Sequence, residues 1–202
     1  MSDEVKVEAK TFSLKQQIIG SIVFVLASFT VIFLYQEKSL FDIFKSDYSL
    51  SVQLIIALIA SLIFICVNKL VDRIWEKAGF NKEILESYSR FDLSGINPLI
   101  ISICAGVAEE ILFRAALQPL MGIWITSILF MLVHAQVYRF DSINKRVINQ
   151  ALYLFAISVV LGFIFEYVGL ITVIIIHIII DIDGLYSIRK SAIYKKIREG
   201  AN

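Results

Sequence analysis

Six stretches of the chain stay apolar for roughly 18 residues or more, the length that spans a bilayer as a helix. They cover about 18–35, 50–68, 96–117, 119–137, 147–166 and 170–187. The first is longer than a signal-peptide core and no small-x-small cleavage site follows it, so it reads as a retained span. Gln118 and Pro119 separate the third run from the fourth, which predicts a helical hairpin broken at the proline. Gly169 marks an equally short turn between the last two. The pattern predicts an all-α polytopic membrane helical bundle of about six transmembrane helices, forming one membrane domain over 1–202.

Composition agrees. Of 202 residues, 58% are hydrophobic and 18% charged, where soluble domains run nearer half apolar and a quarter charged. A net charge of +1 carries no signal for nucleic acid. The basic residues are placed rather than abundant. With six spans and both termini inside, the cytoplasmic segments hold 16 of them: Lys6, Lys10 and Lys15; five from Lys69 to Arg90; Arg139, Lys145 and Arg146; and five from Arg189 to Arg198. The outer loops hold only Lys38 and Lys45, and Arg114 lies inside a span. This asymmetry puts both termini in the cytoplasm, and the expected setting is the bacterial cell membrane. The connector 72–90 reads either as a short amphipathic helix resting Ile74, Trp75, Ile84 and Leu85 on the headgroups or as a solvated link. The basic tail suits anionic lipid. Cys66 and Cys104 lie in apolar runs without the charged surroundings that activate a thiol, and read as small apolar fillers.

Within this apolar background, the segment AEEILFRAAL (108–117) stands out. A charge near the bilayer centre costs about 2.5–3.5 kcal/mol on insertion scales. Glu110 and Arg114 are spaced i, i+4 with the acid first, the favourable order for a helical ion pair. Glu109 lies about 100° around the helix with no local basic partner, which leaves it free for chemistry. The chain has two histidines, His134 and His177, in separate spans, and Asp181 shares a helix face with His177. Intramembrane ionisable groups mark a functional site by default. Asp183 is expected to cap the last span near Gly184. If spans three, four and six run straight, Glu109 and His134 are offset in depth by roughly 10 Å at 1.5 Å per residue. Tilt, or a bend near Pro98 and Gly106, would absorb that offset.

Three motifs carry a resemblance. EEILFR (109–114), FMLVH (130–134) and HIIID (177–181) resemble, in order, the EExxxR, FxxxH and HxxxN/D motifs of the CAAX protease and bacteriocin-processing (Abi) family. The resemblance covers about 93–183 and leaves the spans 18–35 and 50–68 as accessory. It implies that Glu109 activates the attacking water and His134 shares that water. It implies further that His177 and Asp181 stabilise the oxyanion, with Glu110 and Arg114 in support. The prenyl endopeptidases of that family carry Asn where this chain has Asp181. An ionised Asp cannot donate to an oxyanion, so Asp181 would instead orient His177 and keep it protonated, or itself be protonated in an apolar site, and the departure speaks against prenyl-peptide specificity.

The groups themselves suit peptide hydrolysis, which needs a base for water, a donor for the developing oxyanion and a proton for the leaving amine. No serine or cysteine has an obvious base beside it; Ser102 and Cys104 merely precede the glutamates. Two histidines and a carboxylate also form a zinc set, but the resemblance favours a metal-independent glutamate mechanism, so no cofactor is expected. The expected function is an intramembrane endopeptidase acting on a membrane-associated or lipidated peptide or protein, with membrane lipids as its other partner. The alternative is a non-catalytic membrane binding protein of the bacteriocin-immunity type. A proton or ion carrier fits the buried acids but lacks the broken helices of transporters.

Overall fold

A computed structural model describes residues 12–195 apart from 38, 40, 79–81, 136–142 and 193. Lys6, Lys10, Lys38, Arg139, Lys196, Arg198 and the expected end of the fourth span at 136–137 lie outside the described residues, as do the side chains of Lys82 and Ile84. The described chain is helical: α1 Leu14–Tyr35, α2 Leu50–Ala78, α3 Lys82–Tyr88, α4 Asn97–Glu110, a π-helical segment Ile111–Leu117, α5 Gln118–Val133, α6 Lys145–Tyr167 and α7 Leu170–Lys190. Its one described strand-like feature is a bridge between Phe12 and Phe91.

Sequence chemistry sets these boundaries. Ser13 and Gln16 form a reciprocal capping box that starts α1. Asn144 caps α6 by accepting from the Val147 N–H, and Pro98 occupies the first turn of α4, where its missing N–H has no consequence. Gly169, at φ 126°, takes a backbone conformation that suits glycine and turns α6 into α7. Between α1 and α2, Lys45 and Ser39 hydrogen-bond the Asp42 carboxylate and hold its pKa well below the ordinary carboxylate range.

Among the described residues, five helices are long and apolar enough to cross a membrane, and one of them is the continuous stretch Asn97–Val133. The six expected spans therefore become five long helices and a short return arm. The hairpin does not break at Gln118–Pro119. Pro119 falls in the first turn of α5, which tolerates it, and the reversal comes at Gly122, with φ 75° and ψ 169°. The pairs Phe113–Phe130, with rings 5.1 Å apart, and Glu109–His134 both straddle Gly122. The ascending arm, 97–121, is about 37 Å long, and the return arm, 123–133, only about 16 Å, at 1.5 Å per residue. Moving the turn also removes the depth offset, because Glu109 and His134 now lie nearly equal distances from it.

The bundle has two apolar clusters with polar groups between them. One gathers Ile32, Ala57, Ile111, Ala115, Val173 and Ile176 toward the Gly122 and Gly169 turns. The other joins Leu93, Ile101, Leu185 and Tyr194 at the opposite end. Large apolar side chains face outward, among them Leu26 and Phe33 on α1, Leu58 and Leu62 on α2, and Trp124 and Ile125 on α5. Aqueous monomers rarely expose contiguous apolar surface on this scale, whereas a membrane protein turns it to lipid. The loop with Lys45, the Gly122 turn and the Gly169 turn line one cavity and so share an end. Lys15, Arg90, Arg146, Arg189 and Lys195 lie at helix ends or links on the other side.

Three expectations change. The segment 72–78 is the last two turns of α2, and α3 is only seven residues long. Its Trp75 is buried against Tyr153, with rings 5.2 Å apart, while Ile74 is exposed and Leu85 half-buried. Asp183 caps nothing, since α7 continues to Lys190; it pairs with Lys69 at 3.3 Å. Cys66 faces outward and Cys104 is half-buried. Neither is a core filler, because a bilayer-facing surface accepts a small apolar group as readily as a core does.

Candidate active site

The close approach of α4 and α7 sets the site. A Cβ on Gly106 would lie 2.7 Å from Ile178 Cγ1 and 3.1 Å from its backbone nitrogen. Small residues let membrane helices pack backbone to backbone, and here that contact brings Glu109 and Glu110 beside His177. The π segment follows at once, with the Gln118 N–H bonded to the Phe113 carbonyl five residues back. Such insertions recur at functional sites because they rotate the side chains that follow.

All six residues singled out by sequence converge. Arg114 Nε donates to Glu110 Oε2 at 3.0 Å, with both side chains fully buried. His177 Nδ1 donates to the other Glu110 oxygen, Oε1, at 2.7 Å. Arg114 Nη2 donates to the Ser158 hydroxyl on α6 at 3.0 Å, and the guanidinium lies 5.6 Å from the Phe130 ring centroid. Glu110 therefore ties α4, α7 and the π segment together. It, and not Asp181, makes the orienting bond to His177. Asp181 Oδ2 stands 3.6 Å from His177 Nε2, beyond hydrogen-bond length.

Glu109 has a different environment. Its Oε2 lies 3.6 Å from His134 Nε2 and 4.0 Å from His177 Nε2, and it makes no direct hydrogen bond although the atom is shielded. Both gaps lie beyond direct hydrogen-bond length. His134 Nδ1 donates to the Phe130 carbonyl at 2.8 Å, which leaves Nε2 of the neutral ring as the acceptor facing Glu109. Phe130, the first residue of FMLVH, also packs its ring 4.5 Å from that of His134. The motif thus specifies both the wedge and the ring it holds. Among the described residues, no group of three or more His, Cys, Asp and Glu has the arrangement of a metal cage. Ser102 is buried and donates to the Pro98 carbonyl at 2.8 Å.

Residues 93–182 match the family model described as type II CAAX prenyl endopeptidase Rce1-like. Over that segment, a little under half of its length, the chain is similar to the CAAX protease family. That family is one of membrane endopeptidases, and its matched segment contains every residue of the site just described. No curated protein and no solved structure matches the chain. The CAAX-type core leaves α1 and α2 outside the match, yet α1 packs on α4 and the π segment and α2 packs on α7. The sequence marked Gly106 only as a bend and Gln118 only as a turn, and gave no sign of Ser158; the Gln118 side-chain amide donates to the Gly162 carbonyl at 2.9 Å. The available signal was weak: single polar or small residues inside apolar helices, with nothing to name their partners.

Proposed function

We propose that this protein is an intramembrane endopeptidase that hydrolyses a peptide bond of a membrane-associated or lipidated peptide or protein through a water activated by Glu109. The observation that supports this most is the Glu109–His134 gap. Two acceptors face each other at 3.6 Å, and a water that donates one hydrogen to each turns its lone pair toward a substrate carbonyl. Glu109 takes the proton as water attacks the carbonyl carbon, then passes it to the amine nitrogen as the C–N bond breaks. His177, whose Nδ1–H is committed to Glu110, offers Nε2–H to the oxyanion when the ring carries both protons. Such a donor is worth about 2.7–4 kcal/mol in known hydrolases. Asp181 and Glu109 are the carboxylates that face that nitrogen.

The proposal includes the site's membrane face and its independence of metal. The return arm ends at His134, and Asp181, one turn nearer the basic end of the bundle, keeps a third of its side chain exposed. The site would therefore open toward the basic end, the cytoplasmic side by the positive-inside rule. Comparative proteomics of membranes from cells carrying wild-type or Glu109→Gln protein tests the activity. A juxtamembrane or C-terminal cleavage that disappears with the variant is the expected result, and identical fragment patterns would refute the reading in favour of a non-catalytic immunity-type binder. Cleavage that persists in a strong chelator is expected; loss restored by added zinc would overturn metal independence.

A further inference from the structure

We infer that Gln36, at the end of α1 and outside the family-matched segment, is a positioning residue for the site. Its side-chain amide nitrogen donates to the carbonyls of Ala115, at 2.9 Å, and Ala116, at 2.8 Å. Both carbonyls take this outside donor where the helix changes its backbone spacing. The Ala115 carbonyl has no i+4 N–H to receive because that position is Pro119. Ala116 lies where five-residue spacing gives way to four-residue spacing. Backbone groups at membrane depth must find partners within the protein, and one primary amide has two hydrogens, one for each. The amide cannot be reversed, since that would set its oxygen against two carbonyl oxygens. Its aim is fixed from behind: the Gln36 backbone N–H bonds to the Ile32 carbonyl, and Ile32 is fully buried in the cluster that includes Ala115 and Ala116.

The consequence reaches the chemistry through bonds already described. Ala115 follows Arg114, Arg114 holds Glu110, and Glu110 holds the His177 ring. Gln36 thus keeps the π segment in the register that sets His177 opposite Glu109, and the span that precedes the family core becomes part of the working unit. The effect on turnover rests on the endopeptidase reading; the effect on His177 does not.

The test uses full-length protein in lipid nanodiscs. The chain has only two histidines, so selective 15N-histidine labelling reports the site almost without overlap. Gln36→Leu removes both hydrogens, Gln36→Lys keeps a multiple donor, and Ile32→Val perturbs the same helix face by packing alone. We expect Gln36→Leu to shift the His177 ring nitrogens. It should also lower kcat on the order of 10- to 100-fold with KM little changed, the size of effect that small misplacements produce. Gln36→Lys should restore both, and Ile32→Val should lower the unfolding midpoint while leaving the histidine signals in place. A folded Gln36→Leu protein whose signals superimpose on wild type would overturn the inference. If Gln36→Leu does not fold, Gln36→Lys decides: wild-type signals support the clamp and shifted signals overturn it. Histidine shifts in a chain that cleaves nothing would keep the clamp and discard the endopeptidase reading.

Discussion

Glu109 and Glu110 are neighbours in the chain but sit in two very different regions of the molecule. Around Glu110 the bundle is sealed: the side chain is fully buried, one oxygen takes Arg114 and the other takes His177. Around Glu109 it is looser: 18% of the side chain is exposed, and both imidazoles stand back at 3.6 and 4.0 Å. A buried carboxylate with every partner in place resists change, because losing one partner strands a charge. A carboxylate held just short of contact leaves room for a reactant. On the endopeptidase reading, adjacent acids serve structure and chemistry separately, divided by a rotation of about 100° around the helix.

Several substitutions would break or sharpen that contrast. Arg114→Leu should be the most damaging. It strands Glu110 in the bundle and should lower stability by about 3–5 kcal/mol, read from unfolding in mild detergent. Adding Glu110→Leu should recover much of the loss, and a double variant no more stable than the single would deny the pair its structural role. Glu109→Gln should do the reverse, cutting turnover by about 10²–10⁴-fold, the usual worth of a general base. Gly106→Ala drives a methyl into the Ile178 backbone; overpacking of this kind costs about 1–3 kcal/mol. It should also part α4 from α7 and slow cleavage, both measurable on one preparation. Asp181→Asn should matter least, moving stability by no more than about 0.5 kcal/mol as expected for a partly exposed group. A larger loss in the unfolding curve would make Asp181 part of the sealed region.

The contrast was half legible in the sequence. The i, i+4 spacing of Glu110 and Arg114 and the lack of a local partner for Glu109 follow from helical geometry alone. The motifs at 109–114, 130–134 and 177–181 named the site's members before their neighbours were visible. The turn was misplaced because proline is the stronger helix-breaking signal, yet Pro119 sits where a first turn accepts it and Gly122 supplies the positive φ. The extent of α2 was missed because DRIWEKA is polar, and a helix that leaves the bilayer can stay helical. Asp183 read as a cap because its partner, Lys69, is over a hundred positions away in the chain. Gln36 and Ser158 were illegible for the same reason: their worth lies wholly in contacts between distant segments.

The most direct test is cleavage by purified Glu109→Gln protein, set beside Glu110→Gln on the membrane peptide that wild-type protein cuts, with unfolding followed in the same samples. The account predicts that Glu109→Gln unfolds like wild type and cuts at least about 10²-fold more slowly, while Glu110→Gln unfolds well below it. A stable Glu109→Gln protein that still cuts the peptide at the wild-type rate would contradict the account.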